Sequence, residues 1–235
     1  MLHDLHTTRG ETLTGTPWTV YPRPQMKRDS YINLNGDWEL SANSGSFGTI
    51  RVPFCPESRL SGIHGHFPEG AALAYRKIVK LPEDFNRGRV LLHIGAADQS
   101  TTVFVNKKKL CEHLGGYDSF TVDITEALQE ENEIVILCTD DLREQSFPYG
   151  KQVLPEKRGG MWYTPVSGIW QTVWLESVPE TYVEKLNIEN RGCSVTVSTV
   201  PALEGTVHIP ELGSFELVDG KVTITPEDPH LWSPE

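Results

Sequence analysis

Long apolar runs, an excess of basic residues and paired cysteine motifs are all missing from this sequence. No apolar stretch approaches the ~20 residues that a helix needs to cross a bilayer. The first residues, MLHDLHTTRGETLTG, have neither a basic segment nor an apolar core, so they do not resemble a secretory signal. Acidic residues outnumber basic ones by 32 to 21, and the formal net charge is −11. Because nucleic acids and anionic membranes attract a basic face, neither is an expected partner.

The 4 cysteines are widely spaced and form no C-x-x-C pair; they are Cys55, Cys111, Cys138 and Cys193. The sequence also has no N-x-[ST] glycosylation site. This spacing favours free thiols over disulfides or a zinc site. We therefore predict a cytoplasmic protein.

Motifs of the common catalytic and metal sites are missing as well. The sequence has no G-x-S-x-G, no phosphate-binding G-x-x-x-x-G-K-[ST] and no EF-hand spacing. His64 and His66 could point in the same direction from an extended segment, but no third ligand follows at a recognised spacing. We predict no catalytic residue, no metal site and no cofactor within the chain.

Extended segments dominate the chain up to residue 178. Alternating, β-branched and aromatic stretches predict strands at 37–40, 49–52, 74–81, 89–95, 101–106, 120–124, 133–138 and 169–176. Only residues 125–129 have a helical pattern, for about one turn. Lys107 follows Asn106 where a tight turn usually has glycine, so a longer loop is expected there. Such a set of strands without long helices predicts a two-sheet antiparallel sandwich of the jelly-roll type.

The composition shifts after Val178 and Pro179, where a second set of short strands begins. We predict these strands at 182–189, 193–200, 205–209, 214–218 and 221–225. They indicate an immunoglobulin-like β-sandwich, but they are fewer than the about seven strands that such a domain needs. The predicted domains are 1–179, a jelly-roll sugar-binding domain, and 180–235, an immunoglobulin-like domain that is truncated.

Two long irregular connections, residues 53–73 and 140–168, separate the predicted strands. Such long connections are usually functional or disordered, and these two are too aromatic and apolar for disorder. Trp162 and Tyr163 lie in the second connection, where exposed rings suit the apolar faces of sugars. Trp170 and Trp174 have the spacing of one strand face and are predicted to pack in the core, with Glu176 ending that strand.

Eight segments form an ordered set along the chain: YPRPQ (21–25), LNGDWEL (34–40), VPFCPESRLSGI (52–63), YRK (75–77), HIGAADQSTTVFVN (93–106), HLGGYDSFTVDIT (113–125), SGIWQTVWLE (167–176) and LWSPE (231–235). In order and spacing they resemble the N-terminal region of glycoside hydrolase family 2. That family contains β-galactosidases, β-glucuronidases and β-mannosidases.

This resemblance implies a jelly-roll domain, an immunoglobulin-like domain and a following (β/α)8 barrel with two catalytic glutamates. Since LWSPE falls inside the second domain, the catalytic pair is expected to lie outside this chain. In the galactosidases an Asp directly before a Met-Trp pair of the second connection contacts the sugar. The matching pair here is Met161-Trp162, and Gly160 takes the place of the Asp. By position in the two connections, the candidates for substrate binding are Arg158, Trp162, Tyr163, His66 and Glu69.

Three functions remain open. The first is the non-catalytic N-terminal part of a retaining exo-glycosidase that hydrolyses terminal β-linked sugars in carbohydrate metabolism. The second is a stand-alone, lectin-like carbohydrate-binding module, and the third is a structural or oligomerisation domain. The expected partner is a carbohydrate, held together with a barrel domain. Assembly into a homo-oligomer through the β domains is a further expectation.

Overall fold

The computed structural model describes residues 7–43, 45–144, 146–153, 159–229 and 231–233. Within these residues the chain forms seventeen strands, one α-helix at Thr8–Thr12, and 3-10 turns at Arg59–Ser61 and Thr125–Ala127. The strands of every sheet pair antiparallel, so the prediction of an all-β chain is confirmed. No described helix is long and apolar enough to cross a membrane. The helix and the first 3-10 turn were not predicted.

The chain divides into two compact units. The first comprises Met1–Pro22 and Arg28–Val178, and the second comprises Arg23–Lys27 and Pro179–Glu235. In its described residues the first unit contains twelve strands: β1 (Tyr31–Asn33), β2 (Gly36–Ala42), β3 (Gly45–Val52), β4 (Ala72–Val79), β5 (Arg89–Ile94), β6 (Ala97–Asp98), β7 (Ser100–Val105), β8 (Lys108–Leu114), β9 (Phe120–Asp123), β10 (Asn132–Thr139), β11 (Gly168–Ile169) and β12 (Val173–Val178).

Two sheets of the first unit share one hydrophobic core. Their strand orders are β1-β12-β5-β9 and β3-β2-β4-β10-β7-β8, and β11 and β6 form a short additional pair. On β10 every second residue is buried, as expected of a strand with one face on a core. On β12 all six residues are buried. Both sheets contribute side chains to the same buried cluster, among them Trp38, Tyr75, Ile134, Leu92 and Leu175.

The connection between β7 and β8 is a tight turn, so the expectation of a longer loop was wrong. Asn106 and Lys107 are its two central residues, with φ values of 51° and 67°. Both values lie in the left-handed region that a two-residue hairpin of this kind requires, and asparagine tolerates it well. The Asn106 side chain also stabilises the turn, because its Nδ2 donates to Ala127 O at 2.7 Å and its Oδ1 accepts from Glu133 N at 2.9 Å.

The strand predicted at 169–176 is interrupted, and Trp170 and Trp174 do not share one strand face. β11 pairs with β6, whereas β12 pairs with β5. Between them the backbone amides of Trp170 and Gln171 both donate to Ala96 O at 3.3 Å, an irregularity that shifts the register as a bulge does. Trp174 is buried as predicted, but Trp170 is only half-buried. The strand also continues past Glu176 to Val178.

The second unit consists of short strands in two small sheets. The strands are β13 (Lys185–Arg191), β14 (Ser194–Val200), β15 (Gly205–Ile209), β16 (Gly213–Leu217) and β17 (Lys221–Ile224). They form a three-stranded sheet, β13-β14-β17, and a hairpin, β15-β16. All five strands lie close to the positions predicted, since each is short, alternating and bounded by turn residues.

Candidate functional site

A cavity of about 300 Å³ lies between the two long connections of the first unit. Its wall is formed by Glu57 and residues 66–71 of the first connection, by Asp140 and residues 165–168 of the second, and by the ends of β4, β6 and β10. Carboxyl groups are its main polar feature. The lining residues are Glu57, His66, Phe67, Pro68, Glu69, Ala71, Leu73, Asp98, Cys138, Asp140, Pro165, Ser167 and Gly168.

Glu57 ties the two connections together at the cavity. Its side chain is only 7% exposed, and it accepts hydrogen bonds from Ser167 N at 3.2 Å and from Ser167 Oγ at 2.7 Å. Burial raises the pKa of Glu57 to about 7, even though the Ser167 hydrogen bonds oppose the shift. At neutral pH this carboxyl can therefore either donate a hydrogen bond or accept one.

Two further carboxyls of the cavity are also perturbed. Burial raises the pKa of Asp98 to about 6, and a hydrogen bond from Gln152 opposes this. Burial likewise raises the pKa of Asp140 to about 7, with the charges of Asp98 and Glu69 adding to the effect. Several acidic groups with raised pKa values at one cavity are a pattern typical of binding and catalytic sites.

Two of the five predicted binding residues, His66 and Glu69, line this cavity. His66 is exposed, and Glu69 is half-buried. The Glu69 Oε2 atom accepts a hydrogen bond from Leu142 N at 2.7 Å, which joins the first connection to the second. Glu69 thus has a clear structural role in addition to its place on the cavity wall.

Trp162 and Tyr163 lie on a short ladder within the second connection and do not line the cavity. The ladder is formed by Tyr163 N donating to Lys151 O at 2.8 Å and by Val153 N donating to Tyr163 O at 3.2 Å. It holds the backbone while the side chains of Trp162 and Tyr163 remain 42% and 61% exposed. Arg158, the fifth predicted residue, lies outside the described residues.

Sequence reasoning missed the three perturbed carboxyls, Glu57, Asp98 and Asp140. Each of them stands beside an apolar segment: Glu57 follows PFCP, Asp98 follows IGAA, and Asp140 follows IVILCT. A carboxylate at the end of an apolar run is a signal that could have identified Asp98 and Asp140, because it marks the end of a buried strand, β6 and β10 respectively. Among the described residues, no group of three or more His, Cys, Asp or Glu is arranged to hold a metal ion.

The stability of the first unit is expected to depend on pH through Asp98. Its pKa is raised from 3.8 to about 6, so the folded chain holds this proton more tightly than the unfolded chain. The resulting stabilisation is present below pH 4 and is lost as the pH rises to about 6. As the pH rises from 4 to 7, the unfolding free energy of Asp98→Asn should therefore increase by about 2 kcal/mol relative to that of the unsubstituted chain.

Denaturant unfolding followed by tryptophan fluorescence measures this difference, because Trp38 and Trp174 are buried in the first unit. The matched control is Asp84→Asn, which removes an exposed carboxyl from the same unit. A pH dependence that is identical in both variants would show that Asp98 titrates like an exposed carboxyl.

Known proteins resemble parts of the chain in sequence. No model of a protein family matches it. A putative β-glucuronidase of Formosa agariphila is 23% identical over 191 residues, which cover 73% of this chain and 21% of that protein. A β-galactosidase of Thermoanaerobacter pseudethanolicus is 32% identical over 156 residues, which cover 65% of this chain and 20% of that protein.

Solved structures share the fold. A β-glucuronidase of Ruminococcus gnavus in complex with D-glucuronic acid matches 88% of this chain and 41% of its own, with a TM-score of 0.62 at 17% identity. A β-glucuronidase from an uncultured Clostridium matches 87% of this chain and 40% of its own, with a TM-score of 0.61 at 18% identity. The chain spans about a fifth of the length of these curated relatives, 21% and 20%. The chain is thus homologous to a portion of the β-glucuronidases and β-galactosidases of glycoside hydrolase family 2.

Proposed function

We propose that this chain is the non-catalytic N-terminal part of a retaining family 2 exo-glycosidase, whose loops help to shape the site for a terminal β-linked sugar. The observation that carries the proposal is the carboxyl-lined cavity, whose wall includes Glu57, Asp98 and Asp140. It lies in a chain that is homologous to a portion of β-glucuronidases and β-galactosidases. In this proposal residues 1–179 form a jelly-roll sugar-binding domain, and residues 180–235 form part of an immunoglobulin-like domain.

The cavity and the exposed aromatic side chains offer the two kinds of contact that a sugar makes, hydrogen bonds to its hydroxyls and stacking on its apolar face. Carboxyl groups such as Glu57 and Asp98 accept hydrogen bonds from hydroxyls, and a protonated carboxyl also donates one. The exposed rings of Trp162 and Tyr163 offer flat surfaces for the apolar C–H face of a pyranose. Binding and orientation are the roles that fall to these residues. In the proposed enzyme the glutamate pair that breaks the glycosidic bond is supplied by a barrel domain.

A stand-alone, lectin-like module remains the second candidate, because the same exposed rings could hold a glycan without a barrel. The relatives named above bear the names of enzymes, which favours the first candidate. The homo-oligomer and the cytoplasmic location stay predictions.

Sugar binding to the isolated chain tests the first candidate against the second. The cavity and the rings supply one part of a site, whereas complete ligand sites bury about 70–90% of their ligand. We therefore expect methyl β-D-galactoside and methyl β-D-glucuronide to bind with dissociation constants of about 1 mM or weaker. Saturation-transfer NMR detects binding in this range. The signal should fall in Trp162→Ala and stay unchanged in the control Trp232→Ala, which removes an 87% exposed ring from the second unit.

Two outcomes would contradict the proposal. Micromolar, saturable binding of one glycan that is lost in Trp162→Ala would favour the lectin-like module. Hydrolysis of the corresponding nitrophenyl glycosides, in proportion to the chain and through repeated purification, would show that the chain carries its own catalytic groups.

A further inference from the structure

A second concave surface of the first unit differs in chemistry from the carboxyl-lined cavity. It encloses about 400 Å³, which is within the usual range for ligand sites. We call it the aromatic groove. It is lined by Trp18, Val20, Tyr21, Pro22, Pro53, Trp170, Gln171 and Thr172, all of which belong to the first unit.

The groove exposes large apolar side chains that the fold could have buried. Trp18 is 60% exposed and Val20 is 81% exposed. The Trp18 ring lies 5.4 Å from the ring of Phe54, at a tilt of 43°. Scattered exposed apolar residues need no explanation, but several around one concave surface indicate a binding site.

The backbone of the Trp18 segment is held rigidly, although its side chains face outward. Asn33 Nδ2 donates to Trp18 O at 2.5 Å, and Tyr31 Oη donates to Val20 O at 3.2 Å. One residue earlier, Asn35 Nδ2 donates to Pro17 O at 3.1 Å. These side-chain donors, each from β1 or the residues that follow it, fix the segment through its carbonyls. Because these hydrogen bonds hold the backbone in place, the side chains of Trp18 and Val20 remain exposed without loss of local order.

Trp18 has a φ of +47°, in the left-handed region that bulky side chains avoid. Residues held in such a conformation cost on the order of 1–3 kcal/mol and concentrate at functional sites. A glycine or asparagine would satisfy the backbone here at lower cost. The tryptophan side chain itself is thus the feature that requires an explanation.

The other rings of the groove are also fixed in place. Trp170 Nε1 donates to Gly116 O at 2.8 Å, and Tyr21 Oη donates to Glu176 Oε2 at 2.6 Å. A ring whose polar atom is already bonded loses little conformational entropy when a ligand stacks on it. The groove is preorganised in both its backbone and its rings.

No charged side chain is among the described residues that line the groove, although the chain has 32 acidic and 21 basic residues. Its polar groups are neutral, the Gln171 amide and the Thr172 hydroxyl. Flat aromatic rings beside neutral hydrogen-bonding groups match an uncharged saccharide, which has apolar C–H faces and hydroxyl edges. An acidic or basic peptide would lose hydration of its charges there without gaining an ion pair.

We propose that the aromatic groove is a second carbohydrate site, which binds a neutral oligosaccharide. It is separate from the carboxyl-lined cavity, and the two have no lining residue in common among those that the structure describes. Its function is to hold a glycan segment to the first unit independently of the terminal sugar.

Titration of the whole chain with neutral and acidic β-linked oligosaccharides of equal length tests this proposal. The neutral series is expected to bind with dissociation constants of about 1–10 mM, as is normal for an open site, and to shift the NMR signals of the Trp18 and Trp170 indoles. Trp18→Ala should weaken this binding at least tenfold. Trp232→Ala, in the second unit, should leave it unchanged. Oligosaccharides of uronic acids should bind at least fivefold more weakly than the neutral series.

Three results would overturn the proposal. The first is no saturable binding up to tens of millimolar. The second is binding that survives Trp18→Ala but is lost in Trp162→Ala, which would assign all sugar binding to the site of the proposed function. The third is protection of the Trp18 indole that depends on protein concentration and not on glycan, since that would make a second copy of the chain the occupant. If neutral oligosaccharides bind the aromatic groove but no sugar binding depends on Trp162, the result would contradict only the proposed function.

Discussion

Replacing Gly168 with alanine is expected to lower the unfolding free energy of the first unit by about 3–4 kcal/mol. Two costs add at this position. Gly168 has a φ of +71°, where any other L-residue is strained by about 1–2 kcal/mol. A Cβ atom there would also lie 2.0 Å from Tyr75 Oη and 2.9 Å from Tyr75 Cζ. Tyr75 is fully buried in the core and cannot move aside, so overpacking adds about 1–3 kcal/mol.

The matched control for this substitution is Gly48→Ala. Gly48 has a φ of +88° but no atom within 4 Å of its Cβ position, so it carries the conformational cost alone. We expect it to cost about 1–2 kcal/mol. Adding Tyr75→Phe to Gly168→Ala removes the nearest atom and should recover part of the difference. Denaturant unfolding followed by tryptophan fluorescence gives all the values. Equal losses in Gly168→Ala and Gly48→Ala would show that Tyr75 does not oppose the new methyl group.

The strands could be predicted from the sequence because most of them have a simple pattern. β10 contains a continuous run of branched apolar residues, and β14 and β17 are alternating segments bounded by turns. Their secondary structure follows from the residues themselves. β1 and β8 were missed, since β1 has only three residues and β8 is polar at most positions. Their pairing partners, β12 and β7, determine that they are strands.

The segment 168–178 shows where local pattern stops being sufficient. Its residue types predict one strand, but the chain changes pairing partner at Trp170, and no local property of the sequence marks that change. Glu176 was predicted to end the strand, and carboxylates are rarely buried. It is instead fully buried, since its partners come from distant parts of the chain. Long-range pairing of this kind cannot be read from composition or periodicity.

The candidate site, too, could be predicted from the sequence only in part. The two long connections, and the places of His66 and Glu69 on them, could be predicted because loops of unusual length and composition are visible in the sequence. The raised pKa values of Glu57 and Asp98 could not, because they arise mainly from burial, which depends on how the folded chain packs around each side chain. The aromatic groove was missed for a similar reason. Trp18 and Trp170 are more than a hundred and fifty positions apart in the sequence and line one surface only after folding.

The buried Glu176 holds the start of the first unit to its sheet. Its side chain on β12 is fully buried and accepts a hydrogen bond from Tyr21 Oη at 2.6 Å. His93 Nε2, on β5, lies 3.0 Å from Oε1, and Arg28 Nε lies 3.4 Å from Oε2. Tyr21 and Arg28 precede the first strand, so three separate parts of the chain meet at this one carboxylate. A buried charge is tolerated only when its partners satisfy it, which makes each partner sensitive to its loss.

Glu176→Gln is therefore expected to lower the unfolding free energy of the first unit by about 3 kcal/mol, or the melting temperature by about 8 °C. The amide keeps the shape of the side chain, but it removes the negative charge opposite Arg28 and turns an NH2 group towards a hydrogen-bond donor. The control is Glu133→Gln. Glu133 lies 2.5 Å from Arg76 Nε in a pair whose side chains are 28% and 40% exposed, and the loss of such a pair should cost under about 1 kcal/mol. Combining Glu176→Gln with Arg28→Met should recover part of the loss, because the double variant also removes the cation that lies opposite Glu176. Additive losses in the double variant would mean that Tyr21 and His93 hold this carboxyl without help from Arg28. A loss in Glu176→Gln no larger than that in Glu133→Gln would mean that water reaches the cluster when the charge is removed.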